Sequence, residues 1–324
     1  MATYKEINGT NIEVVSSDPS NPVQGQIWYN STSGTLKGLG FTTAAWASGG
    51  NLSATVYGNA GAGTQTAALS MGGHPQGRTA TEEYNGSSWT AGGALGTGRE
   101  NAGACGTQTA GLIFGGQNPT VSPDTLAKTE EYNGTSWTAG GDLPTTKRGN
   151  AGAGTQTAGL SFGGTTPPGD SDVTNEYNGT SWTAGGAMTN GRFYLAGAGI
   201  QTAALAIAGS GPSNKTEEYN GSSWTNGGNL NTGRRHLAAA GITTAALAFG
   251  GDTPPSGSPG STPTEQYNGS TWTNTTSMST KRYSFGGAGT TTAGLAFGGQ
   301  GPPDTAATEE WTGAVPATVT LSGS

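Results

Sequence analysis

Along most of the chain, short runs of apolar and small residues alternate with polar turn clusters, and the runs recur in one order. The stretch Thr129-Glu130-Glu131-Tyr132-Asn133-Gly134-Thr135-Ser136-Trp137-Thr138-Ala139-Gly140-Gly141 has near-copies beginning at Thr81, Thr174, Thr216 and Thr264, and a truncated copy at Thr308. Asn-Gly between residues of high β-propensity predicts a hairpin, because a tight turn needs positive φ, which Gly and Asn tolerate best. Tyr132 then ends one strand and Trp137 opens the next. A Trp at the same place in every copy reads as core. Burying roughly 200 Å² at ~25 cal/mol/Å² contributes about 5 kcal/mol at most. One such hairpin is marginal alone and must bury its face against other copies.

The tryptophans stand at 46, 89, 137, 182, 224 and 272, and six residues after each comes Leu52, Leu95, Leu143, Met188, Leu230 or Met278. Ten or eleven residues after come Arg99, Arg148, Arg192, Arg234 and Arg282, with Val56 in the first unit. A strand of small residues follows, such as Gly149-Asn150-Ala151-Gly152-Ala153. It turns through Gly154-Thr155-Gln156-Thr157 into Ala158-Gly159-Leu160-Ser161-Phe162-Gly163-Gly164. Each unit thus predicts four short strands. The loops after the glycine pairs carry most of the prolines and nearly all the length variation, both marks of surface.

Gly 60 and Pro 16 among 324 residues would suggest disorder if unpatterned. Their periodicity, with 31% hydrophobic residues, argues instead for thin sheets whose backbones approach closely. A net charge of −7 without a basic run disfavours nucleic acid as a partner. No apolar run is long enough for membrane insertion, and the polar start Met1 to Glu6 lacks the apolar region of a signal peptide. A single cysteine excludes an internal disulfide framework. Cys105 fills the slot of Ala62, Ala153, Ala198, Ala240 and Ala288, so a small buried residue is expected there.

Four strands over 42–48 residues make a propeller blade. The order Gly115-Gly116, Tyr132, Trp137, Leu143, Arg148 resembles kelch repeats, and the match spans about residues 41–313. The Trp46 strand lacks a third-strand partner beside it, while Thr308-Glu309-Glu310-Trp311 lacks a fourth strand after it. An open array would leave both half-units with bare edges. The expected fold is therefore all-β: a six-bladed kelch-type β-propeller over residues 41–324. Its ring closes when the N-terminal fourth strand joins the first three strands of the C-terminal unit. Residues 1–40, with a hairpin over Gly25 to Lys37, are expected to form a short N-terminal arm or adaptor. The wording of the repeats also resembles kelch-like structural proteins of tailed marine bacteriophages. Gly25 to Lys37 is similar to N-terminal pieces of phage fibre and appendage proteins. These likenesses imply a virion component assembled in the host cytoplasm.

Candidate chemistry is sparse. Kelch-type copper oxidases need a His-rich site, whereas this chain has only His74 and His236, in different units, so neither copper nor zinc is expected and no cofactor is called for. A Ser-His-Asp arrangement would have to use one of these histidines, and neither has a recurring acidic partner. The pairs Glu82-Glu83, Glu130-Glu131, Glu217-Glu218 and Glu309-Glu310 could suggest glycoside hydrolysis. Because they recur in the repeat, one Glu of each is expected to pair with an Arg or with backbone between blades. Asn85 and Asn133 match the glycosylation acceptor, but the turn accounts for them. Asp170, Asp172 and Asp252 offer too few oxygens for calcium.

The expectation is a non-enzymatic virion protein on a tail fibre, appendage or capsid surface, contacting a host-surface glycan or protein. A carbohydrate lyase or hydrolase is the alternative, and an intracellular adaptor is disfavoured by the short arm. The arm, through Ile27, Trp28 and Tyr29, is expected to dock on other virion proteins or on symmetry mates in a homo-oligomer. Strand directions put the variable loops and the starts of the first strands on one face. The candidate binding residues there are Tyr57, Arg99, Arg148, Arg192, Phe193, Tyr194, Arg234, His236, Arg282 and Tyr283, most of the arginines being expected as braces. Aromatic faces beside Arg and Asn suit a sugar ring.

Overall fold

Strand follows strand, and among the described residues no helix intervenes. The computed structural model describes residues 12–321 except 24, 76–77, 167–168, 212 and 254–259. The expectation drawn from Met1 to Glu6 lies outside these residues, as do parts of four variable loops. Two compact units divide the chain: Trp46–Thr312, and Met1–Ala45 together with Gly313–Ser324.

The larger unit holds six four-stranded antiparallel sheets. The first runs Ala60–Thr64, Ala67–Met71, Thr81–Tyr84, Trp89–Ala91, each strand beside the next. The next four repeat this order, with first strands at Gly103–Thr107, Ala151–Gly154, Ala196–Ile200 and Ala238–Ile242. In the sixth sheet, Gly286–Gly289, Ala293–Phe297 and Thr308–Thr312 take Ala45–Ser48 as their fourth strand, so residues far apart in sequence complete one sheet.

The hairpin between third and fourth strands differs from the tight turn the sequence suggests. Tyr132 pairs with Trp137 across a four-residue loop in which only Gly134 takes positive φ, at 87°. Asn133 works through its side chain, whose Oδ1 accepts from the N–H groups of Thr135 at 2.9 Å and Ser136 at 2.8 Å. That is an Asx cap, for which Asn suits better than any apolar residue.

Neighbouring sheets are tied by three repeated bonds. Each fourth-strand indole donates to the first Thr of the preceding sheet's third strand, as in Trp182 to Thr129 at 2.9 Å and Trp46 to Thr264 at 3.0 Å. Each third-strand Tyr hydroxyl donates to the Glu at the third position of the preceding sheet's third strand, as in Tyr177 to Glu131 at 2.6 Å. Gln65, Gln108, Gln156 and Gln201 in the turns after the first strands each donate to two carbonyls of the preceding sheet; Gln156 bonds Gly111 O and Tyr132 O. The second strands are buried on both faces, with Leu160 and Phe162 fully covered. First strands are small because they nearly touch: a Cβ on Gly152 would collide with Ala104 O.

The smaller unit is a sheet in the order Glu13–Val15, Ile27–Asn30, Thr35–Phe41, Pro316–Thr320. The expected boundary after residue 40 therefore moves: Phe41 ends a strand of this sheet, and the C-terminal strand pairs with that same strand. Asp18 organises the unit. It accepts from Lys37 Nζ at 2.7 Å, Asn30 Nδ2 at 2.7 Å and Trp28 Nε1 at 3.1 Å, and these bonds hold its carboxyl down to about 2. Trp28 is wholly buried, so it is not a free docking group; Ile27 is half-buried and Tyr29 is exposed.

Candidate functional site: the open end of the first strands

Counting from each fourth-strand Trp separates two neighbouring positions with different jobs. The tenth residue points inward. Arg99, Arg192, Arg234 and Arg282 are buried there, each bonded to the first carboxylate of its own sheet's third strand: Glu130, Glu217, Glu265 and Glu309. Arg234 also donates to Gly250 O and Pro263 O, and Arg282 to Gly298 O and Ala307 O. Burial lowers each guanidinium from its usual pKa while the facing carboxylate offsets part of the shift. These four are braces within a sheet rather than between sheets.

Arg148 is not the fifth brace. It is the eleventh residue, and the tenth is Lys147, fully buried and donating to Val173 O at 3.3 Å and Asn175 Oδ1 at 3.2 Å. Asn175 stands where the other sheets carry the brace carboxylate. Burial pushes the Lys147 ammonium down to about 8. In the first sheet Val56 is tenth, and Arg78 from the loop between second and third strands supplies the charge instead, 2.9 Å from Glu82.

The eleventh and twelfth residues stand just before the first strands, buried or half-buried. Residue eleven is Tyr57, Glu100, Arg148, Phe193, Arg235 or Tyr283, paired with the residue after the glycine pair, as in Tyr57 with His74 and Arg235 with Asp252. Residue twelve is Gly58, Asn101, Gly149, Tyr194, His236 or Ser284, every one at positive φ. The N–H of each donates to the carbonyl of its counterpart in the preceding sheet. Asn101 donates to Gly58, Gly149 to Asn101, Tyr194 to Gly149, His236 to Tyr194, Ser284 to His236, and Gly58 to Ser284, at 2.6–3.0 Å. These bonds form a cycle. Beneath it lies a cavity of ≈ 140 Å³ lined by these residues and by the small first strands.

No family model matches the sequence, and no curated protein matches it. Among solved structures the chain resembles that titled "Structure of YjhT", at TM-score 0.65 and 14% sequence identity over 85% of this chain and 99% of that one. With six four-stranded sheets tied neighbour to neighbour, this likeness decides the fold. It is a β-propeller. The cavity is the propeller's channel, and the twelfth residues frame its mouth.

The mouth gathers aromatic rings and paired charges. Tyr194 stacks on His236 with ring centres 3.7 Å apart, Tyr57 stacks on His74 at 4.4 Å, and Tyr283 meets His236 edge-on at 5.8 Å. Phe193 leans on Tyr194. Each histidine, read from sequence as having no recurring acidic partner, has one of its own: His236 Nδ1 lies 3.3 Å from Asp252 and His74 Nδ1 lies 3.5 Å from Glu100. Arg235 shares Asp252 at 3.3 Å, while Arg148 bonds Gln117 and lies 3.4 Å from Asp124. Burial depresses the His236 pKa against the pull of Asp252, so the ring is neutral near pH 7. Burial pushes Asp252 up, but His236 and Arg235 together win and hold it low. Burial raises the Tyr57, Tyr194 and Tyr283 hydroxyls.

Glu100, Asn101, Arg235, Asp252 and Ser284 were not on the sequence's list of binding residues; a strict count from each Trp finds all but Asp252. Cys105 is buried, its thiol pushed up to about 12 by desolvation. Among the described residues, no three His, Cys, Asp or Glu side chains converge as metal ligands.

Proposed function

We propose that the six sheets close as a kelch-type, six-bladed ring, and that the protein is a non-enzymatic virion component of a tailed phage. The ring reading is supported by the cyclic backbone ladder and by Trp89, whose indole reaches Thr308 at 2.9 Å. The observation that carries the functional reading is the contrast between the two ends of the strands. At one end, the Asn-Gly loops repeat one Asx cap within each hairpin, and four Gln turns repeat one pair of inter-sheet bonds. At the other, residues eleven and twelve vary from sheet to sheet without disturbing the ladder. A scaffold that holds one face constant and diversifies the other suits recognition. The variable face would bind a host-surface glycan or protein, and the smaller sheet, with Tyr29 exposed, would attach to virion partners or to a second copy.

Immunogold labelling of phage particles tests this. Label at the tail tip, with adsorption blocked by purified protein, is expected. Label absent from particles sinks the virion reading, and uniform capsid label sinks attachment. A second reading, a carbohydrate lyase or hydrolase, draws on the two histidine–carboxylate pairs, which have the makings of acid–base groups. Turnover of a host polysaccharide that is lost in Asp252→Asn or Glu100→Gln would establish it instead.

A further inference from the structure

Four of the six ladder residues are not glycine, yet they hold left-handed backbone: Asn101 at φ 53°, Tyr194 at 55°, His236 at 54° and Ser284 at 51°. Each is strained relative to glycine, Asn least. Gly58 and Gly149 fill the same slot at 64° and 62° and make the same ladder bonds. The ladder therefore does not require these side chains. Four strained positions around one mouth, in slots where glycine serves the backbone equally well, mark side chains held for another purpose.

We propose that the channel mouth binds an uncharged sugar, the terminal hexopyranose of a glycan, through Asn101, Tyr194, His236 and Ser284. The proposal rests on the variable face being the binding face and adds the ligand class and the contacts. Stacked rings at the rim offer flat apolar surface to the C–H face of a pyranose. Asn101 and Ser284 can each both donate to and accept from sugar hydroxyls, while a neutral His236, its Nδ1–H directed at Asp252, offers Nε2 as an acceptor. The nearby arginines are engaged by carboxylates: Arg235 by Asp252 and Arg148 by Asp124. Opposite charges so paired leave little net field to draw an anion, which favours a neutral ligand over an acidic one. A cavity of ≈ 140 Å³ falls below the ~300 Å³ at which drug-sized pockets begin, so it suits one ring rather than a chain.

The test uses the full chain and a panel of methyl glycosides of glucose, galactose, mannose and N-acetylglucosamine, with methyl glucuronide as the acidic control. Binding is read by saturation-transfer NMR and calorimetry, and stability by thermal unfolding. At least one neutral glycoside is expected to bind, and the glucuronide not to. The double variant Asn101→Gly/Ser284→Gly should weaken that binding at least about tenfold, as for lost hydrogen bonds, with an unchanged or higher melting temperature. Tyr194→Leu, which keeps bulk but loses the flat ring, should weaken it similarly. Failure of every neutral glycoside to bind, or preference for the glucuronide, overturns the proposal. So does a double variant that binds normally, or one that melts lower, since the side chains would then serve the fold. Particles whose adsorption is blocked by the purified protein, with no sugar of the panel bound, would overturn this inference and leave the binding-face reading standing.

Discussion

The Trp89 indole donates to the Thr308 hydroxyl at 2.9 Å, joining the first complete sheet to the sixth across 219 positions of sequence. The Trp137–Thr81 bond has the same length between sheets adjacent in sequence. If the ring is closed, the two bonds are equivalent despite their different sequence separations. A double-mutant cycle with Trp89→Phe and Thr308→Val should give a coupling of about 1 kcal/mol, matching the Trp137 and Thr81 cycle. Zero coupling for the first pair beside a clear value for the second would contradict closure.

Braces and face residues should respond differently to the same substitution. Arg234 and Glu265 are both fully buried, so Arg234→Met strands a carboxylate without its cation and should cost about 3–5 kcal/mol. Arg148, one position past its brace slot and a third exposed, should tolerate Met within ~0.5 kcal/mol. Denaturant midpoints of the two variants decide this. Similar losses would mean that the tenth and eleventh positions do not differ in role.

The third sheet should carry a pH signature. Lys147 is depressed from 10.5 to about 8 in the folded protein, so the unfolded chain binds more protons between those values. Stability contributed here is absent below pH 8 and grows as pH rises toward 10.5. Below pH 8 the buried charge costs on the order of 3 kcal/mol. Lys147→Met should therefore stabilise the protein at pH 7, and its advantage should shrink from pH 8 to 10.5. An advantage that is flat with pH would show that Lys147 is not desolvated.

Most of the architecture was legible because the repeat writes each contact several times. The Tyr, Trp and paired Glu of every unit proved to be one bonded system: Trp to Thr, Tyr to the second Glu, Arg to the first. A spacing of ten or eleven residues blurred the brace and face positions, and so Arg148 stood in for Lys147. The left-handed ladder was hidden for a different reason. Tyr194 is a poor left-handed residue, and the cyclic bonds help to over-determine the backbone there. The histidine–carboxylate pairs join a residue just before a first strand to one just past a second strand, a contact that linear spacing does not show. The smaller sheet was half legible, since nothing in Pro316–Thr320 announces its partner in Thr35–Phe41.

The Gln turns allow a gain to be designed. Gln201 donates to Gly159 O at 2.9 Å and Tyr177 O at 2.7 Å, stapling the fourth sheet to the third. The fifth sheet has Thr243 in the same slot, too short to span both carbonyls, and the sixth has Thr291, which reaches only Ala245 O. Thr243→Gln places an amide opposite Ala204 O and Tyr219 O, the counterparts of the two carbonyls that Gln201 bonds. Two bonds from an immobilised side chain, less its ordering entropy, should add about 1 kcal/mol. The reverse change, Gln201→Thr, should remove a similar amount. Both variants leave the channel mouth untouched, because the turns lie at the other end of the first strands, so adsorption should be unaffected. Thr243→Gln melting below the native protein would mean that the fourth and fifth sheets approach too closely at this turn to admit the staple.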